Sequence, residues 1–272
     1  MILVIVILGL FFQIYKLQED VSLLKQIVFL QKGNAVDNHR RIAQKYREIS
    51  SSVFSIRCQN SAKKPMKWTG TAFKVSADVA VTARHLVDKE FMVDSKEKNV
   101  LPISCDLFSE GVLVGNYTSD INPRKDINKL DMSIIKVKFN PEGLRIKPMK
   151  INTSHKAFEG EPLLLISHPE TFLDDYIISF GYVINQNANK ILHADRKSAW
   201  ENAVLTDMVA APGASGSPLL TLDQEVIGVH VGGNDKHKLR TNYQILFDTN
   251  FYLSLQMFKL QHLEIKEQTP KK

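Results

Sequence analysis

The amino-acid sequence predicts an all-β protein built as two six-stranded antiparallel β-barrels, with a helical, partly apolar segment before them and a helix after them. Three observations carry that expectation. Short apolar or alternating runs bounded by turn residues recur from Val53 to Phe247, the pattern of buried and half-buried strands. The chain has 272 residues, 44% of them hydrophobic and 24% charged, a composition that belongs to folded globular proteins and a length sufficient for two cores. An almost wholly apolar N-terminal run is set apart from the strand-rich region by a polar stretch.

In chain order, Met1 to Phe12 with Gln13, Ile14 and Tyr15 falls just short of the roughly 17–25 residues that cross a bilayer. Residues 1–15 read as a single membrane anchor, which makes the protein membrane-associated. A cleaved signal peptide, giving a secreted or periplasmic protein, fits less well, because no basic residue precedes the run and no small-x-small site follows it. Burial inside the folded region is the third option. Residues 16–49 read as a helical linker, in which Leu17, Val21, Leu24 and Val28 form a short heptad seam that allows weak self-association through residues 17–31. Lys16, Lys25, Lys32, Arg40 and Arg41 all follow the apolar run, an arrangement that by the positive-inside rule favours a cytoplasmic folded region. The formal net charge is +6 and the pI is near 9.1. The basic residues are nevertheless scattered without interleaved aromatics, so a nucleic-acid partner is not expected.

Residues 50–150 hold the first barrel, with strand candidates at Val53 to Cys58, Gly70 to Val75, Val79 to Ala83 and Ser133 to Val137. Residues 151–250 hold the second, with candidates at Leu163 to Ile166, Tyr176 to Ile184, Leu219-Leu220, Val226 to Val231 and Tyr243 to Phe247. Residues 251–272 read as a helix and tail, capped by Asp248-Thr249 and packing on the second barrel through Phe251, Leu253, Leu255, Met257, Phe258 and Leu260. Cys58 and Cys105 are the only cysteines. A bridge between them is one reading and a pair of reduced, buried thiols the other, the latter being expected.

Chemistry concentrates in Gly213-Ala214-Ser215-Gly216-Ser217-Pro218. A serine between glycines can expose its Oγ as a nucleophile, and the N–H groups of Gly213 and Ser215 can face the oxyanion that forms on an attacked carbonyl. Ser217 is a rival hydroxyl. Such a serine needs a general base, and the base needs an orienting acid. His85 follows the strand-like run Val79 to Ala83, and Asp131 opens the alternating run Asp131-Met132-Ser133-Ile134-Ile135-Lys136-Val137. Asp88, Asp120 and Asp126 sit among charged neighbours and read as surface residues. Arg84, before the histidine, reads as a strand-end charge directed to water.

Thr82-Ala83-Arg84-His85, the Asp131 run and Gly213-Ala214-Ser215-Gly216-Ser217-Pro218, in that order, resemble the chymotrypsin-like (trypsin-like) serine proteases. The run Glu225-Val226-Ile227-Gly228-Val229-His230-Val231-Gly232-Gly233 is similar to the HtrA and glutamyl-endopeptidase branch, here with no room for a PDZ domain after Gly233. The resemblance implies a serine endopeptidase acting on polypeptides, with Ser215 as nucleophile, His85 as general base then acid, Asp131 fixing the imidazole tautomer, and no metal or cofactor. It places Val209, Ala210, His230, Val231 and Gly232 at the substrate-binding pocket. His230 would favour a Glu or Gln side chain, and Val209 with Ala210 a small apolar one. Arg84 and Ala214 depart from the family's usual residues. The alternative function is a catalytically inactive protease-like binding module.

Overall fold

Strands begin where β-branched and aromatic side chains alternate with small ones, and they end at glycine, proline or charged turns. The computed structural model describes residues 46–62, 65–88, 102–120, 124–126, 130–172, 175–188, 203–234, 241–248 and 251–259. Residues 1–48 and 49–272 are separate units. Of the first, only 46–48 are described, as helix, so the expected anchor (1–15) and nearly all of the expected linker lie outside the described residues. No helix among the described residues is long and apolar enough to cross a membrane.

The first half comprises β1 (Val53–Asn60), β2 (Lys67–Lys74), β3 (Val79–Thr82), the single turn α1 (Arg84–Val87), β4 (Ile103–Ser109), β5 (Val112–Thr118), β6 (Arg124–Asp126), β7 (Ser133–Lys136), β8 (Lys138–Phe139) and α2 (Pro141–Arg145). Its strands form one eight-stranded antiparallel sheet in the order β6-β7-β3-β2-β1-β4-β5-β8. The expectation of a closed six-stranded barrel is corrected here. The short strands β6 and β8 pair with β7 and β5 respectively, so among the described residues the two ends of the ladder are not joined. Phe54, Ile56, Leu107, Tyr117, Ile135 and Phe139 form the core of this half-barrel.

The second half comprises β9 (Pro162–Ser167), β10 (Ile177–Asn185), β11 (Ala203–Thr206), β12 (Pro218–Leu220), β13 (Val226–Asn234) and β14 (Thr241–Leu246). These six close into a barrel in the order β10-β11-β14-β13-β12-β9. Leu163, Leu165, Val183, Met208, Leu219 and Ile227 fill it. Asp248 Oδ1 accepts the Phe251 N–H at 2.8 Å, starting α3 (251–259), whose Phe251, Leu255 and Phe258 are buried as expected. Leu253 and Met257, also expected to pack, are exposed because they fall on the opposite face of the helix, and Leu260 lies outside the described residues.

Two features escape the sequence reading. The β4–β5 hairpin turns through Glu110 (φ 49°) and Gly111 (φ 77°), paired left-handed residues that suit a tight hairpin, although a Glu-Gly pair is a weak turn signal. Cys58 and Cys105, expected to be reduced, form a disulfide. The β1–β4 register sets them directly opposite each other, with Cα atoms 4.0 Å apart, a proximity that no linear spacing reveals.

Candidate active site

β3 is buried along its whole length, and at Ala83 the chain turns into α1, which carries His85. Trp68 Nε1 donates to Leu86 O at 3.1 Å. The Leu86 side chain fills the space over Gly70, where an added Cβ would come within 2.2 Å of Leu86 Cδ1. Both contacts fix Leu86, the residue after His85, while the His85 ring stays 28% accessible.

Pairing of β3 with β7 sets Thr82 opposite Ser133, which brings Asp131 to the end of β3. The Asp131 carboxylate is buried. It accepts the His85 backbone N–H at 2.9 Å and lies 2.8 Å from His85 Nδ1 through Oδ2. An ionised carboxylate only accepts, so the proton of a neutral His85 sits on Nδ1 and Nε2 is left as the basic nitrogen.

The loop 212–217 is shaped by backbone contacts. Gly213 (φ 94°) and Gly216 (φ 89°) occupy the left-handed region. A Cβ on Gly216 would lie 1.9 Å from Thr71 O and 3.0 Å from Ala83 N, so only glycine lets this loop dock on the strand ends that lead to His85. From β2, Thr71 N–H donates to Ser215 O at 2.7 Å, and Thr71 Oγ1 donates to Gly213 O at 2.9 Å while accepting His168 N–H at 3.0 Å. From β13, His230 O accepts Gly216 N–H at 2.8 Å, and His230 N–H donates to Ser217 O at 2.9 Å. Both halves of the fold thus grip the loop.

Within the loop the N–H groups divide. Those of Ala214, Gly216 and Ser217 are used internally or by β13. Those of Gly213 and Ser215 enter no hydrogen bond among the described residues. Ser215 is half-buried, and among the described residues no hydrogen bond joins its Oγ to the His85 ring. Catalytic contacts of this kind commonly tighten only when substrate is bound. Ser217 is fully buried and donates its hydroxyl to Ala214 O at 2.6 Å, which leaves Ser215 as the accessible serine of the run.

His230 is buried behind this loop. Its Nδ1 lies 3.4 Å from Gln244 Nε2, and Gln244 Oε1 accepts from Thr206 Oγ1 at 3.1 Å. Burial, reinforced by the nearby His85, pulls the His230 imidazole down to about 4, so it is neutral at pH 7. Val231 is buried, Ala210 and Gly232 are half-buried, and Val209 is 64% exposed. Val209 O, rather than its side chain, is engaged, accepting Ser179 Oγ at 2.6 Å. Among the described residues no cluster of His, Cys, Asp or Glu is arranged to hold a metal.

Three side chains expected at the surface are engaged. Asp88 is buried and bonds Arg84, Asp126 pairs with Arg124 at 2.8 Å, and Arg84 is therefore not directed simply to water. Thr71, Gln244 and Arg124 escape the sequence reading, because each acts through partners distant in sequence.

The sequence profile of the trypsin-like peptidase domain matches residues 70–229, a span containing His85, Asp131 and Ser215. Among solved structures, the HtrA-type protease AlgW with a tripeptide superposes with a TM-score of 0.55 at 15% identity, covering 80% of this chain and 62% of that one; this chain thus spans under two thirds of AlgW. Deg5 superposes with a TM-score of 0.53 at 19% identity, covering 77% of this chain and 90% of its own. An inactive mutant form of Rv3671c from M. tuberculosis H37Rv gives 0.51 at 15% identity, covering 83% and 92%. At these identities the structural likenesses establish the fold, and the profile match over more than half of the chain establishes the family: the chain belongs to the trypsin-like peptidases.

Proposed function

We propose that the protein is a serine endopeptidase working through Ser215, His85 and Asp131. His85 Nε2 removes the Ser215 Oγ proton as the oxygen attacks a peptide carbonyl, and the resulting oxyanion is met by the N–H groups of Gly213 and Ser215. Collapse of this intermediate breaks the C–N bond. The proton returns from His85 to the leaving amine, and an acyl-enzyme remains. Water then repeats the cycle and releases the acid. The observation that carries the reading is the division of N–H groups in the loop: among the described residues, those of Gly213 and Ser215 are the two without a hydrogen-bond partner.

For side-chain preference, His230 supports a Gln or Glu. With Nδ1 facing the Gln244 amide, a neutral His230 carries its proton on Nε2 and can donate to a substrate oxygen. The disulfide between Cys58 and Cys105 supports a catalytic region facing an oxidising compartment, against the direction suggested by the basic residues after the apolar run. Attachment through residues 1–15 belongs to the same proposal, and protease protection in fractionated cells tests both.

The test of function is cleavage of a mixed peptide library by the full chain and by Ser215→Ala. The wild type is expected to cut after Gln or Glu, and the variant to lose at least roughly 10⁴-fold in kcat/KM. Cleavage only after Val, Ala or Leu removes the role of His230. Equal activity of the two proteins removes Ser215, and binding without cleavage by the wild type points to the inactive binding module.

A further inference from the structure

We infer that Arg124 is a positioning residue for His85, acting through a network of four charges that ties the turn bearing the base to β7, the strand that follows the acid. The inference rests on the peptidase reading above.

A single helical turn such as α1 has little stability of its own, so the aim of His85 depends on what holds the turn. Its C-terminal carbonyl, Val87 O, accepts Arg124 Nη1 at 2.6 Å. The same guanidinium bonds Asp126 Oδ2 through Nη2 at 2.8 Å and lies 3.5 Å from Asp88 Oδ1. Arg84, adjacent to His85, bonds Asp88 and lies 3.6 Å from Asp126. On the other side, the Ser133 hydroxyl donates to Asp126, its register partner across β6 and β7, and Ser133 stands two residues after Asp131 in the chain. A path of direct bonds therefore runs from the His85 turn through Arg124 and Asp126 to the strand that Asp131 opens.

Exposed ion pairs contribute little, and this network differs from them in burial. Asp88 is 1% exposed, so its contacts with Arg84 and Arg124 are shielded from solvent screening, unlike those of a surface pair. Tyr117 reports the same surroundings: among the described residues its buried hydroxyl has no hydrogen-bond partner, and burial, together with Asp126 and Asp88 and against Arg124, pushes it up to about 12. Among the described residues the network joins two arginines and two aspartates, so its hold on the turn is electrostatic as well as geometric, and loss of either Arg124 or Asp126 breaks the path between the His85 turn and β7.

The experiment measures kcat and KM for the full chain and for Arg124→Met, Arg124→Lys and Asp126→Asn, with circular dichroism to confirm folding. Arg124→Met is expected to lose roughly 100-fold in kcat, the scale of a small misplacement of a reacting group, with KM little changed. Asp126→Asn, which breaks the same path, lowers kcat in the same way, and Arg124→Lys, which keeps the charge but not the fork, recovers part of kcat. Should Arg124→Met not fold, the other two variants decide. Folded variants with wild-type kcat overturn the inference, as does a loss carried by KM alone. Absence of hydrolysis by the wild type refutes the peptidase reading instead.

Discussion

The turn carrying His85 and the loop carrying Ser215 meet at one site but are held by opposite means. The first is fixed by side chains: the Asp131 carboxylate against His85 and the guanidinium groups of Arg84 and Arg124 on two aspartates. The second is fixed mostly by main chain, through Thr71 N–H on Ser215 O and exchanged N–H and carbonyl groups with His230, with one uncharged side chain, the Thr71 hydroxyl, on Gly213 O. A charge-held turn responds to loss of charge and to pH. A backbone-held loop is indifferent to charge but intolerant of an added Cβ. The division suits the proposed chemistry, in which a general base responds to nearby charge whereas an oxyanion site needs rigid N–H donors.

The sharpest way to break the loop is Gly216→Ala. Its Cβ would meet Thr71 O at 1.9 Å, from a residue at φ 89°, so the loop must leave its seat on the first half. At least roughly 100-fold loss in kcat/KM is expected, with a near-wild-type far-ultraviolet spectrum because neither sheet is touched. Retained activity would show that the loop is not held by this contact.

Next in size is Thr71→Val, which removes one hydroxyl that both donates to Gly213 O and accepts from His168 N–H. A destabilisation of about 1–3 kcal/mol is expected for the unpaired buried groups, read from the urea midpoint. About tenfold in kcat/KM should accompany it, the factor that corresponds to about 1.4 kcal/mol. Thr71→Ser should restore both. Equal stability of Thr71→Val and wild type would mean that the hydroxyl does not couple the two halves.

A third effect acts through pH and on stability rather than on turnover. His230 is held at about 4 in the folded protein against the ordinary histidine value of 6.5 in the unfolded chain, and burial lowers His168 in the same direction. Between these values the unfolded chain binds protons that the folded one refuses, so stability is complete above pH 6.5 and falls as pH drops towards 4. His230 alone accounts for about 3 kcal/mol of that loss. Urea midpoints measured across the window should fall with acid in wild type and much less in His230→Gln, and equal slopes would remove His230 as the source.

The sequence carries most of the second half and the order of the site residues. β9, β10, β12, β13 and β14 are runs of apolar or alternating residues that register on their own, and a serine among glycines is a local signal. What the sequence does not carry is what depends on pairing across the chain. β6 and β8 are too short to show periodicity, so the open eight-stranded sheet is not legible in it. Asp88 and Asp126 look like surface residues until β6 is laid beside β7. The disulfide exists because β1 and β4 are neighbours, and Thr71 gains its role only when Gly213, 142 residues away, is folded against it.

The central claim is that Ser215 is a nucleophile activated by His85, and active-site labelling tests it most directly. The folded full chain, alongside His85→Ala, is treated with a fluorophosphonate and mapped by peptide mass spectrometry. The account predicts a single adduct on Ser215 in the wild type, forming at least roughly 100-fold more slowly in the histidine variant. An adduct on Ser217, no adduct on folded protein, or equal rates with and without His85 would contradict it.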